Sequence, residues 1–462
     1  MLKNHLKIAW RNLKTNRLFS AINILGLSLG IAITLVLFLF IRHELSFDQF
    51  YKGDSNTYRV LLNTEGEMFG QEVWAGSPAA LAPALKTDIP NVARAARILK
   101  SGFGENAQVK AGDKNLTETG LFYCDTDIID ILKINITEGK QIDLDRPGTI
   151  ALSQSTAKRY FGTSDVIGKS IKIDNRNDLE VIAVYEDFPK NSSYNFNAIA
   201  SFASSVFFRN PRWSNASFET LVQFDQAISV TSIEQQMQQI LDKNVDKEGQ
   251  WFSFSLQPLE KIHLYSAAYQ NSYAQRIGDI QEVKNLAFLA ILILCIACIN
   301  YMNLTTARSQ KRSKEVGINK TLGAGNKVIV AQFYTETGLI TFVSMALGVL
   351  LALVALPWFN DLTDQDFDQS IIFSLPAIMA FFLIWAITTL IAGSYPAFYL
   401  SRFSPKSALA SAFAPGQSNE VVRKGLVILQ FAASVILIVG ILVVYQQIQF
   451  IGNQKLGFEP EN

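Results

Sequence analysis

Two glycine-rich segments are the first candidates for chemistry, because glycine loops can wrap a phosphate group with backbone amides. The segment GTSDVIGKS, residues 162–170, places five residues between its glycines, whereas the phosphate-binding loop of nucleotide hydrolases requires four. We therefore interpret it as a turn between a helix and a strand. The segment GAGNK, residues 323–327, is not preceded by a hydrophobic strand and is interpreted as a helix break. Neither segment predicts a nucleotide site, so any ATP hydrolysis is expected from a partner.

Histidine and cysteine are too sparse to predict a catalytic or metal site. The three histidines lie far apart in the sequence, at His5, His43 and His263. Cys295 and Cys298 form a C-x-x-C pattern inside an apolar segment, where packing against a neighbouring helix is a better interpretation than metal or redox chemistry. Cys124 is the only cysteine between residues 43 and 283, so no disulfide is expected within that part of the chain. We expect the chain not to be an enzyme.

Five long uncharged runs dominate the sequence, which is 49% hydrophobic and only 18% charged over 462 residues. Each run exceeds the about 20 residues that a helix needs to cross a bilayer. The first run is predicted to be an uncleaved anchor, since its apolar part is longer than the about 7 to 15 residues of a signal peptide. We predict five transmembrane helices, at residues 19–42, 284–306, 328–356, 372–398 and 425–447.

Lysine and arginine collect beside alternate predicted spans, which sets the orientation because cytoplasmic flanks carry these residues in excess. Residues 1–20 contain five of them and residues 307–327 contain six, whereas residues 357–371 contain four aspartates and none. Three segments are therefore predicted to be cytoplasmic: an amphipathic helix at 1–18, the loop 307–327 and the linker 399–424. Three are predicted to be extracytoplasmic: a domain at 43–283, the loop 357–371 and the tail 448–462.

The 241 residues of segment 43–283 are enough for a domain of two lobes. GTIALSQSTAKRYFG predicts a strand followed by a helix that starts at Ser153 or Ser155 and ends at Gly162, and SIKIDN with LEVIAVYEDFP alternates with the period of paired strands. Residues 203–257 are predicted to form an inserted lobe, with one helix between two strands. The predicted fold class is a multi-pass α-helical membrane protein with a large extracytoplasmic α+β domain of two lobes.

The order of residues in the loop 307–327 is more regular than a cytoplasmic position alone would require. Its basic residues and Glu315 precede an apolar turn at Val316 and Ile318, and Lys320 follows before the glycine break. Retention of basic residues on the cytoplasmic side would explain the charges. The order of residues also predicts a short amphipathic helix that could dock on another protein.

Polar residues inside the predicted spans are interpreted as packing groups. Glu336 lies in a run that could form one helix over residues 326–359, roughly 50 Å long, which is longer than the hydrocarbon core of a bilayer. We therefore expect Glu336 to be an anchor or a helix-pairing group near the interface rather than a proton relay. Asn300 and Asn303 fall on one helix face, where their amides are expected to link helices.

The segment RSKEVGINKTLGA is similar to the R-x-K-E-I-G-I-x-K-A-L-G-A signature of MacB-like and FtsX-like ABC transporter permeases, and departs from it at Val316, Asn319 and Thr321. Further segments resemble this family from the first span to the end of the large domain. They are WRNLKTNRLFSAINILGLSLGIA, FDQFYKGDSNTYRV, ALSQSTAKRYFGTSDVIGKSIKI, VIAVYEDFPKNSSYNF and PLEKIHLYS.

This resemblance implies a non-catalytic permease subunit in the bacterial cytoplasmic (inner) membrane, with a MacB-like periplasmic core domain that is moved by mechanotransmission. The chain itself is expected to bind no cofactor and no nucleic acid, since ATP is used by an ABC ATPase subunit. Efflux or extraction of a peptide, antibiotic, lipid or lipoprotein is implied. The signature places the ATPase-docking residues at Arg308, Lys311, Arg312, Lys314, Glu315, Gly317, Lys320, Gly323 and Ala324.

The fifth span departs from a minimal four-span permease and resembles the start of a second unit, as in long members of the family. A truncated eight-span chain is favoured over a natural five-span protein. Expected partners besides the ATPase and membrane lipid are a second copy or a missing second permease unit, and a periplasmic protein. The alternative function is a membrane sensor or regulator whose outer domain binds a ligand or activates a periplasmic enzyme.

Overall fold

The computed structural model describes residues 2–52, 56–64, 72–101, 106–139, 142–307, 309–363, 367, 372–401 and 417–452. It divides into two compact units. Residues Arg42–Lys284 form the mixed-sheet domain, and the helices on either side of it in sequence form the helical unit. The described helices are α1 (Leu2–Thr15), α2 (Arg17–Glu44), α3 (Leu81–Asp88), α4 (Ile128–Ile131), α5 (Gln154–Phe161), α6 (Val230–Asn244), α7 (Ile262–Tyr265), α8 (Ile280–Ala307), α9 (Ser309–Thr321), α10 (Asn326–Thr363), α11 (Leu375–Ser401) and α12 (Gln417–Gly452).

Five of the described helices are long and apolar enough to cross a membrane, namely α2, α8, α10, α11 and α12. Each of the five predicted spans overlaps one of them. Within the helical unit, α2, α8, α10 and α11 share a buried apolar core. The largest buried contributors to this core include Leu27, Ile31, Leu35, Tyr301, Ile340 and Met345.

Side-chain hydrogen bonds supplement apolar packing between these helices. The hydroxyl groups of Tyr301 on α8 and Thr337 on α10 lie 3.1 Å apart. The indole Nε1 of Trp385 on α11 donates to the carbonyl oxygen of Gly338 at 3.1 Å. The predicted link through Asn303 is present, because its amide nitrogen donates to Gln430 of α12 at 3.2 Å. Such bonds contribute about 0.6 kcal/mol each in helical membrane proteins.

Helix α10 is longer than the sequence predicts and continues through the first part of the predicted loop 357–371. Pro357 lies inside the helix, where it removes one backbone hydrogen bond without ending the helix. The last turn is stabilised by a bond from the Thr363 hydroxyl to the carbonyl of Phe359 at 2.8 Å. The Asn360 amide also donates to the carbonyl of Phe367 at 3.0 Å. These polar side chains thus stabilise the last turn of α10. Hydropathy alone does not predict this extension of the helix, because it counts polar residues only as unfavourable for a span.

The mixed-sheet domain contains one sheet whose described strands run in the order β13, β1, β12, β3, β6, β11, β8, β10, β9, β4, β5, with β2 paired to β1 and β7 paired to β10. Strands β8 and β10 pair in parallel, as do β6 and β11, and the other pairs are antiparallel. The strands are β1 (Thr57–Thr64), β2 (Val73–Trp74), β3 (Val92–Lys100), β4 (Ala107–Ala111), β5 (Lys114–Glu118), β6 (Leu121–Cys124), β7 (Ile136–Glu138), β8 (Thr149–Ser153), β9 (Ser170–Ile173), β10 (Asn177–Tyr185), β11 (Ala198–Ser201), β12 (Glu219–Phe224) and β13 (Phe252–Pro258).

The domain has two lobes that share this sheet. In the first lobe, α3 and α6 pack on β1, β3, β12 and β13 around an apolar core that includes Leu81, Met237 and Phe254. The second lobe is built on β4 to β11. Its apolar clusters include Phe122, Tyr185 and Tyr160, and one of them extends to Ile98 of β3 and Leu221 of β12. The lobes join where β3 pairs with β6.

The predicted inserted lobe at 203–257 is corrected by the strand order. Strand β12 lies between β1 and β3, and β13 pairs with β1 along its whole length. These later strands therefore complete the lobe that the start of the domain begins, because β1 pairs with the nearby β2 only at Leu62 and Asn63 and needs β12 and β13 for its other backbone hydrogen bonds. The strands and the helix predicted within 203–257 are present as β12, α6 and β13.

The local predictions around residues 149–185 are confirmed. The backbone N–H of Thr156 donates to the hydroxyl of Ser153, which caps α5, and Gly162 ends this helix in the left-handed conformation. Strands β9 and β10 pair in antiparallel orientation. The segment GTSDVIGKS lies between α5 and β9 and therefore forms the helix-to-strand turn that its glycine spacing predicts.

Glu118 is a buried carboxylate that the second lobe surrounds with donors. It accepts hydrogen bonds from the Tyr160 hydroxyl at 2.7 Å, the Asn197 amide at 2.8 Å and the Gly120 N–H at 3.1 Å, and it pairs with Arg159. Burial by itself would raise the pKa of Glu118. The hydrogen bonds and the charge of Arg159 outweigh that effect, so its pKa is lowered.

We expect Glu118→Gln to lower the free energy of unfolding by about 2 to 3 kcal/mol at pH 7, since bonds to a charged group are weakened. Because the pKa of Glu118 is lower in the folded state, its contribution is complete above its unfolded pKa, about 4.3, and disappears as the pH falls through the folded pKa. The difference between the two proteins should shrink over that acidic range. Urea unfolding followed by tryptophan fluorescence measures it, with exposed Glu248→Gln as the control. Equal stability of Glu118→Gln and wild type at pH 7 would contradict this assignment.

Candidate functional site

Helix α9 is the part of the structure where the predicted docking residues come together. It is a 13-residue helix between two long helices, α8 and α10. The helix ends because Gly323 adopts a φ of 91°, which side chains disfavour, and its N–H bonds to the carbonyl of Lys320 at 3.0 Å. Helix α10 starts three residues later, at Asn326. The predicted helix break at GAGNK is therefore confirmed.

One face of α9 packs against the transmembrane helices. Val316 is buried in a small apolar cluster with Ile329 and Phe333 of α10 and Ala397 of α11. Ala324, just beyond the helix, packs against the same cluster. Gly317 is also buried. This face fixes α9 on two helices through apolar contact.

Two basic residues of α9 add polar contacts to the same helices. Arg312 forms an ion pair with Glu336 of α10, and the side chains are only 19% and 12% exposed. The guanidinium carbon of Arg312 also lies 5.2 Å from the ring centre of Phe333. The ammonium group of Lys320 donates to the carbonyl of Ser401, in the last turn of α11, at 2.7 Å. Glu336 therefore has the helix-pairing position that the sequence predicts.

The other face of α9 is exposed and partly apolar. Ile318 is 51% exposed and Leu322 is 82% exposed. They are four residues apart, a spacing that places neighbouring side chains on one side of a helical turn. Glu315 and Thr321 are exposed beside them. We call Glu315, Ile318 and Thr321, together with Leu322 directly after the helix, the outer face of α9.

The predicted docking residues thus separate into groups. Arg312 and Lys320 contact the transmembrane helices, Glu315 is exposed, and Gly323 and Ala324 form the turn after α9. Arg308 lies outside the described residues, and the structure describes only the backbone of Lys311 and Lys314. Leu322 was missed, although its spacing from Ile318 could have indicated it. No signal local to the loop identifies Glu336 as the partner of Arg312.

Among the residues that the structure describes, no group of three or more histidine, cysteine, aspartate or glutamate side chains is arranged to hold a metal ion. The described cysteines are unpaired, and Cys124 is buried. Burial raises the pKa of the Cys124 thiol well above its ordinary value, so the thiol is unreactive near neutral pH.

The family model for the MacB-like periplasmic core domain matches residues 20–240, and the model for the FtsX-like permease C-terminal region matches residues 287–405. The chain belongs to the MacB-like and FtsX-like ABC transporter permeases. The second match includes α9, so the outer face lies in the FtsX-like region. As a member of this family, the chain is a multi-pass helical membrane protein with a large α+β domain.

Relatives of this permease differ in length. The sequence is 23% identical to the uncharacterized ABC transporter permease YvrN of Bacillus subtilis over 423 residues, which are 88% of this chain and 98% of YvrN. It is 25% identical to the pyoverdine export ATP-binding/permease protein PvdT of Pseudomonas aeruginosa over 426 residues, which are 88% of this chain and 58% of PvdT. The crystal structure of the periplasmic region of MacB from Actinobacillus actinomycetemcomitans aligns with 45% of this chain and 91% of that chain, at 14% identity and a TM-score of 0.34.

Proposed function

We propose that this chain is the permease subunit that receives movement from a separate ABC ATPase through α9 and passes it along the transmembrane helices to the mixed-sheet domain. The observation that carries the proposal is the two-sided character of α9. Its inner face is fixed to α10 and α11, while Ile318 and Leu322 are exposed on the outer face. A helix with these two faces can bind a partner and transmit its displacement.

The inner face of α9, which packs against α10 and α11, determines how well a displacement of α9 would be transmitted. The Arg312 to Glu336 pair is largely removed from solvent, and separating such a pair leaves a buried charge without compensation, at a cost of about 3 to 5 kcal/mol. Thermal energy is about 0.6 kcal/mol, so α9 should not detach from α10 spontaneously. A partner that moves α9 would therefore move α10 with it.

The partner is proposed to be an ATP-binding subunit on the cytoplasmic side. The excess of lysine and arginine in residues 1–20 and 307–327 supports this side for α9, and the opposite side for the mixed-sheet domain. The name of PvdT joins ATP binding and permease functions in one protein, which supports an ATPase as the partner here. ATP would be bound and hydrolysed by that subunit.

The direction of transport is proposed to be export or extraction from the periplasmic side. The family name of the large domain and the export function in the name of PvdT support this direction. A peptide, antibiotic, lipid or lipoprotein remains the proposed substrate class. A second copy of this chain or a second permease unit is proposed to complete the membrane assembly.

Hydrogen exchange of the complex purified from its own host tests this function. The tagged chain should copurify with an ATP-binding subunit, and the chain purified alone should not hydrolyse ATP. Trapping the complex with ATP and vanadate should change amide exchange in the mixed-sheet domain by about threefold or more relative to the nucleotide-free complex. Unchanged exchange in that domain, with active ATP hydrolysis, would contradict mechanotransmission.

A further inference from the structure

The mixed-sheet domain is connected to the rest of the chain twice, once after α2 and once before α8. The first connecting segment begins at Glu44, the last residue of α2, and the second ends at Ile280, the first residue of α8. These two positions are more than 200 residues apart in the sequence. Within the domain, both segments meet at His263 on the short helix α7.

The imidazole of His263 bonds to both connecting segments at once. Its Nε2 lies 2.9 Å from Oε2 of Glu44, and its Nδ1 lies 3.1 Å from the carbonyl oxygen of Arg276. Both side chains of the first pair are buried, at 5% exposure for His263 and 8% for Glu44. The backbone of His263 takes part too, since its carbonyl accepts the N–H of Gly278 at 2.9 Å.

The space around this contact is filled. The ring of Phe47 stacks on the imidazole, with the ring centres 3.5 Å apart and the planes 4° from parallel. Gly278 also lies close to the pair, because a Cβ atom at that position would lie 2.5 Å from Oε2 of Glu44 and 2.9 Å from Nε2 of His263. A side chain at position 278 would therefore have to displace the Glu44 carboxylate or the His263 ring.

A loop between β10 and β11 holds the same two segments from another direction. Asp48 of the first segment donates its N–H to the carbonyl of Asn191 and accepts the N–H of Ser193, each at 2.9 Å. Gln275 of the second segment donates its N–H to the carbonyl of Ser193, also at 2.9 Å. The two segments are thus joined to a common support as well as through His263.

We propose that His263 is a positioning residue that joins the two connecting segments into one rigid junction, so that movements arriving through α2 and α8 reach the mixed-sheet domain together. This inference rests on the proposed function. We call His263, Glu44, Phe47 and the segment Arg276–Gly278 the junction.

Histidine suits this position because of its donor geometry. The two ring nitrogens lie on different edges of one rigid plane, and each faces an acceptor, the Glu44 carboxylate on one side and the Arg276 carbonyl on the other. The protonated ring can donate to both. Glutamine carries its donors on a single nitrogen and cannot span the two acceptors with this geometry.

The test compares substitutions that break the junction with one that preserves it, in the full chain complexed with its ATPase. His263→Phe retains a ring for Phe47 but loses both bonds, and Gly278→Ala forces a methyl group against the pair. Glu44→Gln retains an acceptor for Nε2. Gly249→Ala is the matched control, because its added Cβ meets only Val245 Cγ1, at 3.4 Å.

Two readouts are measured by hydrogen exchange. In nucleotide-free protein, His263→Phe and Gly278→Ala should speed exchange of the amides at 276–284 by about tenfold, while Glu44→Gln and Gly249→Ala stay within about twofold of wild type. In the vanadate-trapped complex, the first two variants should lose most of the nucleotide-dependent change in the mixed-sheet domain. Their ATP hydrolysis, and the exchange of strand amides away from the junction, should remain near wild type, which a generally destabilising effect would not allow.

The outcomes separate this inference from the proposed function. A wild-type complex without any nucleotide-dependent change refutes the proposed function, while faster exchange at 276–284 in the two variants still supports the junction. Wild-type exchange at 276–284 in His263→Phe refutes the junction. A full nucleotide-dependent change in His263→Phe also refutes the role of His263 in transmission, whatever its effect on local exchange.

Discussion

Replacing Ile318 and Leu322 together by aspartate is expected to abolish copurification of the ATP-binding subunit. Ile318 is 51% exposed and Leu322 is 82% exposed, so the substitutions remove little packing within this chain. Burying two such residues against a partner contributes about 3 to 6 kcal/mol. Their loss should therefore raise the Kd for the ATPase by more than about a hundredfold. Binding of the purified ATPase to the permease in nanodiscs measures this change.

Val206→Asp is the matched control for that experiment. Val206 lies in the mixed-sheet domain and is 82% exposed, the same exposure as Leu322. The control introduces one aspartate at an apolar position as exposed as Leu322 and should leave the Kd unchanged. If the Ile318 and Leu322 double variant binds the ATPase as wild type does, the outer face of α9 is not the docking surface.

Replacing either Arg312 or Glu336 by alanine is expected to destabilise the helical unit by about 3 to 5 kcal/mol, because each change leaves the other charge buried without a partner. The two side chains are 19% and 12% exposed, so water can compensate the remaining charge only in part. The double alanine variant should be more stable than the sum of the single effects implies. Thermal unfolding in a mild detergent, with recovery of activity on cooling, measures these differences.

Arg94→Ala is the control for the ion pair. Arg94 pairs with Asp130 at 3.0 Å, but the two side chains are 40% and 63% exposed. Its removal should cost no more than about 1 kcal/mol, as for other exposed pairs. Additive effects of Arg312→Ala and Glu336→Ala would indicate that the two residues stabilise the protein independently and would remove the basis for a rigid connection between α9 and α10.

The elements with a local signature could be predicted from the sequence. The five apolar helices follow from uncharged runs of sufficient length, and α5 follows from the capping serine at 153 and the glycine at 162. The order of strands could not be predicted, because pairing of β12 with β1 joins residues about 160 positions apart. No local pattern reports such a pairing, so the sequence predicts an insertion at 203–257, where the structure has β12 and β13 in the shared sheet with α6 between them.

The helix that carries the candidate site could be predicted from the sequence, whereas the directions of its side chains could not. The pattern of residues 307–327 predicts a short docking helix, but it does not indicate which of its basic residues face the neighbouring helices and which are exposed. Arg312 points toward α10, where it pairs with Glu336. Lys320 points toward the end of α11, where the carbonyl oxygen of Ser401 accepts a hydrogen bond from its ammonium group. Both partners are distant in the sequence. Tertiary contacts decide which side chains remain exposed for another protein.

The join between β3 and β6 has a consequence for the proposed movement of the mixed-sheet domain. Ile98, Leu99 and Lys100 pair with Cys124, Tyr123 and Phe122 across the line where the two lobes meet. A clamshell motion that opened and shut around cargo would have to tear this ladder of backbone bonds. The movement proposed for this domain should consequently displace it whole, as a piston, rather than open and shut it like a pair of jaws.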